Sequence, residues 1–202
     1  MYKYFKAISN ILKSYKFYSF HIIFYELIFY LFHETKYNRF EYLNSNFLSD
    51  SIPCPYFFLK KVHKFVNEKK LKKICDLGSG FGKILYYFGR LNQIKIDGVE
   101  YEKEIYLSSS SLENSRIKIF HEDILKFNLK NKRYDLFFLN DPLKNKIDLL
   151  NLINRIKKEY KSVYLVFINL DKKKQILVYD KLKIIKKFEI SKNKNIFFCE
   201  LN

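Results

Sequence analysis

The stretch that decides the fold is residues 74–83, ICDLGSGFGK. An apolar run ends at Asp76, three glycines follow at alternate positions, and a helical pattern begins at Lys83. Glycine is favoured where the backbone needs a positive φ or approaches a ligand closely, and the first turn of a helix offers unpaired N–H groups. The stretch therefore predicts a strand, a tight turn and a helix that together bind a nucleotide-like cofactor.

The size and charge of the chain limit the classes of function. Its 202 residues, 48% of them hydrophobic, are enough for one globular domain with a substantial core. The formal charge of +17 would attract nucleic acid, anionic lipid or acidic proteins. Because the basic residues form no clustered stripe, a solvated lysine surface is favoured over a nucleic-acid footprint.

The three cysteines, Cys54, Cys75 and Cys199, show no metal-ligand spacing, so no metal site is predicted. Their odd number and the absence of a signal-peptide pattern favour a reduced, cytoplasmic protein. Cys54 lies between Pro53 and Pro55 without a patterned His beside it. We interpret it as a small buried hydrophobic residue rather than a nucleophile.

Residues 1–50 are predicted to form an aromatic-rich helical extension, and residues 51–202 the cofactor-binding domain. An amphipathic helix is predicted around residues 8–15, where apolar side chains recur at helical spacing. Residues 20–32 are apolar nearly all round but contain His21 and Glu26, and they are shorter than the roughly 20 residues that span a bilayer.

Three interpretations of residues 20–32 remain open. The segment packs on the domain, lies in a membrane surface, or crosses the membrane. Packing is favoured because it is the commonest fate of such a helix, while the neighbouring lysines keep a peripheral membrane contact through residues 1–32 open.

The chain between the extension and the first strand is predicted to enter the domain through an extended segment. Pro53 and Pro55 hold the backbone extended, and a helical pattern follows from about Phe58. Tyr56 and the two prolines are interpreted as residues that fix the backbone before the helix rather than as the wall of a pocket.

From Leu71 onward, strands and helices alternate. Strands are predicted at about 72–77, 95–100, 116–122, 134–140, 162–168, 183–190 and 195–201, with helices at about 82–92, 102–113, 144–160 and 172–181. Alternation of this kind predicts an α/β fold with a mostly parallel sheet covered on both faces. The last two strands are separated only by SKNKN, which is too short for a crossover, so they must pair as an antiparallel hairpin.

Polar side chains end the four leading strands. In chain order they are Asp76, Glu100, Asp123 and the pair Asn140-Asp141. Ligands of parallel sheets bind beyond the carboxyl ends of the strands, so these groups are expected to surround one site. His121, inside the third strand, is expected to face the core or a neighbouring helix and is left out of that site.

The glycine spacing distinguishes between cofactors. Gly78, Gly80 and Gly82 occupy the first, third and fifth positions, whereas the nicotinamide fingerprint needs the first, third and sixth. A P-loop would need Ser or Thr after Gly82-Lys83, and Ile84 stands there. The many carboxylates favour a ligand without phosphate that carries positive charge of its own.

The motifs ICDLGSGFG, DGVE, HED and FFLNDP, in this order, resemble those of the class I S-adenosylmethionine-dependent methyltransferases. The resemblance covers about residues 71–202. It implies a Rossmann-like three-layer fold whose seven-stranded, mostly parallel sheet ends in an antiparallel hairpin, here with an N-terminal helical extension. It also implies an enzyme whose cofactor is S-adenosyl-L-methionine.

The resemblance implies a role for each motif residue. Asp76 would lie near the methionine moiety, and the backbone of Gly78, Ser79, Gly80 and Gly82 would pack against the cofactor. Glu100 would hold the ribose hydroxyls. Asp123, with the backbone of Ile124, would hold the adenine.

The stretch Asn140-Asp141-Pro142-Leu143 matches the catalytic position of amino-methylating relatives, except that Leu143 replaces their aromatic residue. The departure weakens a nucleobase acceptor, because that aromatic residue stacks on a flipped base. The resemblance implies methylation of nitrogen, in which a neutral amine attacks in line the methyl group that the sulfonium activates and the C–S bond breaks. Asp141 is a candidate for guiding the proton away from a lysine-type amine.

Several alternatives stay open for the acceptor and for the activity itself. A protein amine is favoured, with a small metabolite or RNA as the next candidates. A non-catalytic S-adenosylmethionine-binding or scaffold protein and an unusual oxidoreductase are the competing classes. The intact glycine turn and acidic strand ends argue against the scaffold.

Overall fold

The computed structural model describes residues 18–32, 37, 39, 41, 49, 51–191 and 194–201. The amphipathic helix predicted around residues 8–15 lies outside the described residues. Of the loop between residues 33 and 50, the structure describes four residues, and Glu41 pairs there with Ser51 as an antiparallel bridge.

From the first strand onward, helices alternate with strands in the described chain, except that no helix directly precedes the fourth or the seventh strand. The helices are α1 Ser19–Phe32, α2 Tyr56–Glu68, α3 Lys83–Gly89, α4 Lys103–Ser109, α5 Lys146–Glu159 and α6 Lys172–Lys181. The strands are β1 Lys73–Leu77, β2 Lys95–Glu100, β3 Ile117–His121, β4 Leu136–Leu139, β5 Val163–Ile168, β6 Lys183–Ser191 and β7 Lys194–Leu201. The predicted elements are confirmed to within a few residues at each end. The helix predicted to reach residue 113 instead passes into a 3-10 turn, Ser110–Leu112.

The seven strands form one sheet in the order β3-β2-β1-β4-β5-β7-β6. The first five run parallel to one another, and β7 runs antiparallel to both β5 and β6. The predicted mostly parallel sheet that ends in an antiparallel hairpin is therefore confirmed. β7 lies inside the sheet and leaves β6 at the edge.

Two hydrophobic clusters cover the two faces of the sheet. β4 illustrates the division, because Leu136 and Phe138 belong to one cluster while Phe137 and Leu139 belong to the other. The first cluster packs against α1, α2 and α3, and the second packs against α5 and α6. This alternation along a strand buried on both faces gives the three layers that were expected.

Helix α1 packs on the domain through one face. Ile22 is fully buried in the first cluster, and Tyr25 and Phe29 pack against that cluster. Packing on the domain is thus confirmed for this inner face, and no helix in the described part of the chain has the length and apolarity to cross a bilayer. The domain boundary at residue 50 stays a prediction.

His121 lies at the surface of the protein, and the three cysteines lie in the core. His121 is exposed and stacks on Tyr106 of α4 with ring centroids 5.0 Å apart, so it faces a neighbouring helix rather than the core. All three cysteines are buried, and burial raises the pKa of Cys54 and Cys75 well above the usual range and that of Cys199 to about 12. Such thiols are poor nucleophiles, which supports the interpretation of Cys54 as a small hydrophobic residue.

Candidate functional site

A cleft lies at the point where the strand order of the sheet reverses. β1 sits between β2 and β4, so the connections leave it toward opposite sides and open a crevice beyond the carboxyl ends of the strands. The cleft has a volume of about 740 Å³, including its open mouth. The glycine loop, the ends of β2 and β4, Ile124 and the chain before α2 line it.

The glycine loop between β1 and α3 has a left-handed backbone at each of its three glycines. Gly78, Gly80 and Gly82 have φ values of +84°, +54° and +85°. A Cβ on Gly78 would lie 2.5 Å from Cβ of Pro142, so the loop touches the end of β4 through bare backbone. The N–H groups of Gly78 and Ser79 both donate to the Val99 carbonyl at 3.0 Å, which fastens the loop to β2. The positive φ expected of these glycines is confirmed, while their approach to a ligand stays a prediction.

Glu100, at the end of β2, holds the other side of the loop. Its Oε2 accepts the Gly80 N–H at 2.7 Å, and its Oε1 accepts the Glu102 N–H at 2.9 Å. Burial raises the pKa of Glu100, and these backbone donors oppose the shift by stabilising the carboxylate. The carboxylate is therefore fixed in direction at the wall of the cleft, with lone pairs left for a ligand.

Asp76, near the end of β1, is fully buried and does not itself line the cleft. Neither of its oxygens has a hydrogen-bond partner among the described residues, and the buried Ser79 hydroxyl beside the loop also has none among them. Burial, with a smaller contribution from Glu100, holds the pKa of Asp76 well above its usual range. An unsatisfied buried carboxyl is costly. The site therefore suits a ligand group that is positively charged or donates hydrogen bonds.

The end of β3 contributes Ile124 to the cleft rather than the side chain of Asp123. Ile124 is buried and lines the cleft. Asp123 does not line it, and its Oδ1 instead accepts the Leu125 N–H at 2.8 Å. Asp123 thus shapes the turn that presents Ile124, while the predicted adenine contact stays untested.

Asn140, at the end of β4, is held by two side-chain hydrogen bonds. Its Nδ2 donates to the Ile52 carbonyl at 2.8 Å, and its Oδ1 accepts from Nδ2 of Asn169 at 2.7 Å. Asn169 follows β5 directly and has a φ of +62°, so the end of that strand also bends toward the cleft wall. The amide of Asn140 is therefore oriented before any ligand arrives.

Asp141 has a strained backbone and a buried cationic partner. Its φ is +49°, and its carboxylate pairs with the amine of Lys174, which is 3% exposed and also donates to the Leu143 carbonyl at 2.7 Å. Burial raises the pKa of Asp141, and Lys174 opposes that shift. Positive φ in a non-glycine residue is concentrated at functional sites. No group of three His, Cys, Asp or Glu side chains within the described ranges is placed to hold a metal ion.

The segment before α2 forms part of the cleft wall, although its prolines were predicted to fix the backbone rather than to line a pocket. Ile52, Pro53 and Cys54 line the cleft, and Oγ of Ser51 lies 2.8 Å from where a Cβ on Gly80 would stand. Tyr37 and Arg39 of the extension line the cleft as well. The sequence could not predict this long-range contact, because local sequence patterns do not indicate which loop packs against the glycine turn.

A buried ion pair joins α1 to the helix that follows the glycine loop. The Lys83 amine lies 2.8 Å from Oε2 of Glu26 and is 4% exposed. Oε1 of Glu26 also accepts the Tyr56 N–H at 2.6 Å, at the start of α2. Sequence reasoning missed this junction, yet a lone acidic residue inside the apolar stretch 20–32 was the signal that could have found it.

The comparisons with known proteins show the fold. A methyltransferase from Aquifex aeolicus matches with a TM-score of 0.56 and 15% identity over 74% of this chain and 100% of its own. An RNA methyltransferase from Salinibacter ruber, in complex with S-adenosyl-L-homocysteine, matches with a TM-score of 0.59 and 11% identity over 74% and 94%. The N-methyltransferase NodS from Bradyrhizobium japonicum matches with a TM-score of 0.57 and 10% identity over 72% and 93%. The chain has the class I methyltransferase fold.

No protein-family model matches the chain, and no curated protein matches it.

The two ends of the glycine loop offer a matched stability test. Gly78→Ala and Gly82→Ala both place a Cβ at a φ near +85°, with a nearest heavy atom at 2.5 Å. At Gly82 that atom is the mobile end of Leu112, whereas at Gly78 it belongs to the ring of Pro142. We expect Gly82→Ala to lose about 1–2 kcal/mol from left-handed strain, and Gly78→Ala clearly more because the proline cannot move aside. Urea unfolding measures both, and equal losses would contradict the close approach.

The Glu26–Lys83 pair predicts a pH-dependent stability. Burial lowers the pKa of Lys83, and Glu26 opposes the shift. Glu26→Gln should therefore cost about 3–5 kcal/mol at neutral pH and lower the pKa of Lys83 further. Because the unfolded lysine keeps its proton up to about pH 10.4, stability rises as pH rises through the lower folded pKa.

Urea unfolding at neutral and alkaline pH checks this expectation. Glu26→Gln should recover part of its loss on going to alkaline pH, relative to the wild-type protein. The control is Glu26→Gln combined with Lys83→Met, which removes the titrating amine and should show no recovery. Identical pH profiles for the single and double variants would rule out the buried lysine as the cause.

Proposed function

We propose that this protein is an S-adenosylmethionine-dependent methyltransferase. The observation that carries the proposal is the buried carboxyl of Asp76, which has no hydrogen-bond partner among the described residues. It lies beside a glycine loop that meets the end of β4 through bare backbone. The methionine moiety of this cofactor has an ammonium and a sulfonium, and a carboxylate complements both. The class I fold of the chain supports the same conclusion.

The residues around the cleft fit the other parts of the cofactor. The fixed carboxylate of Glu100 suits the two hydroxyls of a ribose, since the backbone donors already orient it. The backbone of the loop from Gly78 to Gly82 would pack against the cofactor, and Asp123 with the backbone of Ile124 would hold the adenine. When bound, the cofactor supplies a methyl group activated by its sulfonium.

We propose that the acceptor is a lysine-type amine of a protein, bound beside Asn140, Asp141 and Pro142. The amide of Asn140 is held by Ile52 and Asn169, so it can orient a nitrogen lone pair without first reorganising. An amine arrives protonated at neutral pH, and Asp141 is the carboxylate at this edge that can take up its proton. The raised pKa of Asp141, caused by its burial, suits this task.

We place the enzyme in the cytoplasm, where its three buried thiols would stay reduced. A small metabolite or an RNA is the alternative acceptor. The absence of an aromatic residue at Leu143 argues against a flipped base, because a base needs a stacking partner.

Asp76→Asn is expected to weaken the binding of S-adenosylmethionine at least about tenfold, because a charge-assisted contact is lost. Binding a cation to a carboxyl with a raised pKa also releases a proton, so the affinity should rise with pH between acidic and neutral conditions. Calorimetry in two buffers of different ionisation enthalpy measures both effects at once. The Asp76→Asn variant should release no proton when it binds S-adenosylmethionine.

The matched control is Asp97→Asn. Asp97 is also a buried strand carboxylate, and neither it nor Asp76 lines the cleft. The Tyr134 hydroxyl donates to Asp97 at 2.6 Å, whereas Asp76 has no hydrogen-bond partner among the described residues. This variant should bind the cofactor as the wild-type protein does. If the wild-type protein does not bind at millimolar ligand, the proposed function is wrong.

The acceptor class can be identified with a methyl-labelled cofactor and cell extract separated into protein, RNA and small molecules. Label should enter the protein fraction and, after acid hydrolysis, elute with methylated lysine. Label confined to RNA or to small molecules would overturn the proposed acceptor while leaving the methyltransferase proposal intact.

Asp141→Ala is expected to lower the rate of methyl transfer by about a hundredfold or more while changing cofactor affinity little, as loss of a proton acceptor does. Asp171→Asn is the control, because Asp171 also contacts the Lys174 amine, at 3.3 Å, without lining the cleft. Its rate should stay close to wild type. Equal losses in rate and affinity for Asp141→Ala would mean that the residue belongs to the cofactor pocket.

A further inference from the structure

Four apolar side chains of α1 point away from the domain and form one continuous stripe. Phe20, Phe24, Leu27 and Leu31 are exposed by 75%, 48%, 54% and 66%, and their spacing of four, three and four residues places them on one helix face. The rings of Phe20 and Phe24 stack on each other with centroids 6.3 Å apart. We call these four residues the α1 stripe.

The inner face of α1 prevents the α1 stripe from turning toward the core. Ile22 is fully buried, and Glu26 is held by the Lys83 amine and the Tyr56 N–H. Rotating the helix would bring the stripe inward only by exposing Ile22 and breaking the ion pair. The stripe is therefore a fixed part of the surface, and a row of large apolar side chains at a fixed surface marks a contact site.

Basic side chains of α2 flank the α1 stripe. The Lys60 amine donates to the Tyr25 hydroxyl at 2.7 Å, and the Tyr25 ring lies 5.9 Å from that of Phe24. The Lys61 amine stands over the rings of Phe57 and Phe188, at 5.0 and 4.7 Å. Neither amine forms an ion pair with a carboxylate in the described part of the chain. The apolar face thus has a positive flank.

We propose that the α1 stripe binds the surface of an anionic lipid bilayer. α1 lies along the membrane plane, the stripe enters the boundary between headgroups and acyl chains, and Lys60 and Lys61 face the anionic headgroups. A helix of 14 residues is about 21 Å long, which is too short to cross a hydrocarbon core of about 30 Å. The arrangement therefore lies on the membrane and does not span it.

Charge favours the bilayer over a second copy of the chain. Each copy carries a formal charge of +17, and two copies meeting at this face would bring the lysines of both flanks together. An anionic bilayer attracts the same lysines while it takes up the apolar side chains. The proposal does not depend on the catalytic activity, so it can fail or succeed independently of the proposed function.

Flotation of the full-length protein with vesicles tests the proposal. The protein should float with phosphatidylcholine vesicles that contain phosphatidylserine, and much less with phosphatidylcholine alone. Leu27→Ser with Leu31→Ser should reduce the bound fraction about tenfold, as expected when two half-exposed leucines no longer enter the bilayer. Lys60→Gln with Lys61→Gln should reduce it in dilute salt and have little effect in high salt.

The matched control is Leu107→Ser with Ile147→Ser. These residues are exposed by 56% and 57%, close to the values for Leu27 and Leu31, but they belong to α4 and α5. The control should float as the wild-type protein does. Equal losses in both double variants, or no flotation of the wild-type protein, would overturn the proposal.

A single tryptophan gives a second readout that does not depend on losing apolar surface. The chain contains no Trp, so Leu27→Trp and Ile147→Trp each carry one reporter. The emission of Leu27→Trp should shift to the blue with anionic vesicles, while that of Ile147→Trp should not change. If Leu27→Trp instead shifts with protein concentration in the absence of vesicles, and sedimentation shows a dimer, the stripe contacts a second copy and the membrane proposal is wrong.

Discussion

The close approach of the Gly78 backbone to Pro142 is the constraint on which the site depends. The loop after β1 can touch the end of β4 only where it has no side chain, and a Cβ there would stand 2.5 Å from the proline ring. Glu100 holds the same loop from the β2 side by accepting the Gly80 N–H at 2.7 Å. Three strand ends are thus fixed around one turn, and the cleft is the space that this turn leaves.

The buried charged groups near the cleft differ in whether a group of opposite charge contacts them. Lys83 and Lys174 are almost fully buried, and each has a carboxylate partner, Glu26 and Asp141. Asp76 is equally buried but has no hydrogen-bond partner among the described residues. The chain has 38 basic and 21 acidic residues, so basic side chains are plentiful, yet none of the described ones forms a hydrogen bond with Asp76. The unpaired group lies just before the glycine loop, where a cationic ligand group would satisfy it, and the paired groups hold elements in position.

The local patterns predicted most of the fold, because strands, glycine turns and helices each depend on nearby residues. Positive φ at Gly78, Gly80 and Gly82 follows from residue type, and the short link before β7 required a hairpin. Contacts between distant segments could not be predicted in this way. The bond from Asn140 to Ile52 and the pair between Lys83 and Glu26 join residues 88 and 57 positions apart. Such contacts depend on how whole elements pack, and no periodicity in a single segment encodes them.

The two faces of helix α1 have different surroundings, and both belong to one rigid element. Its outer face carries the α1 stripe, and its inner face places Glu26 against the residue that begins α3, directly after the glycine loop. A helix is about 10 Å across, so whatever contacts the stripe lies within about that distance of the Lys83 junction. Any displacement of α1 must move Glu26 away from a lysine that is 4% exposed, and this costs the free energy of an uncompensated buried charge. The Glu26–Lys83 pair therefore joins the helix that carries the α1 stripe to the residue that begins α3, directly after the glycine loop.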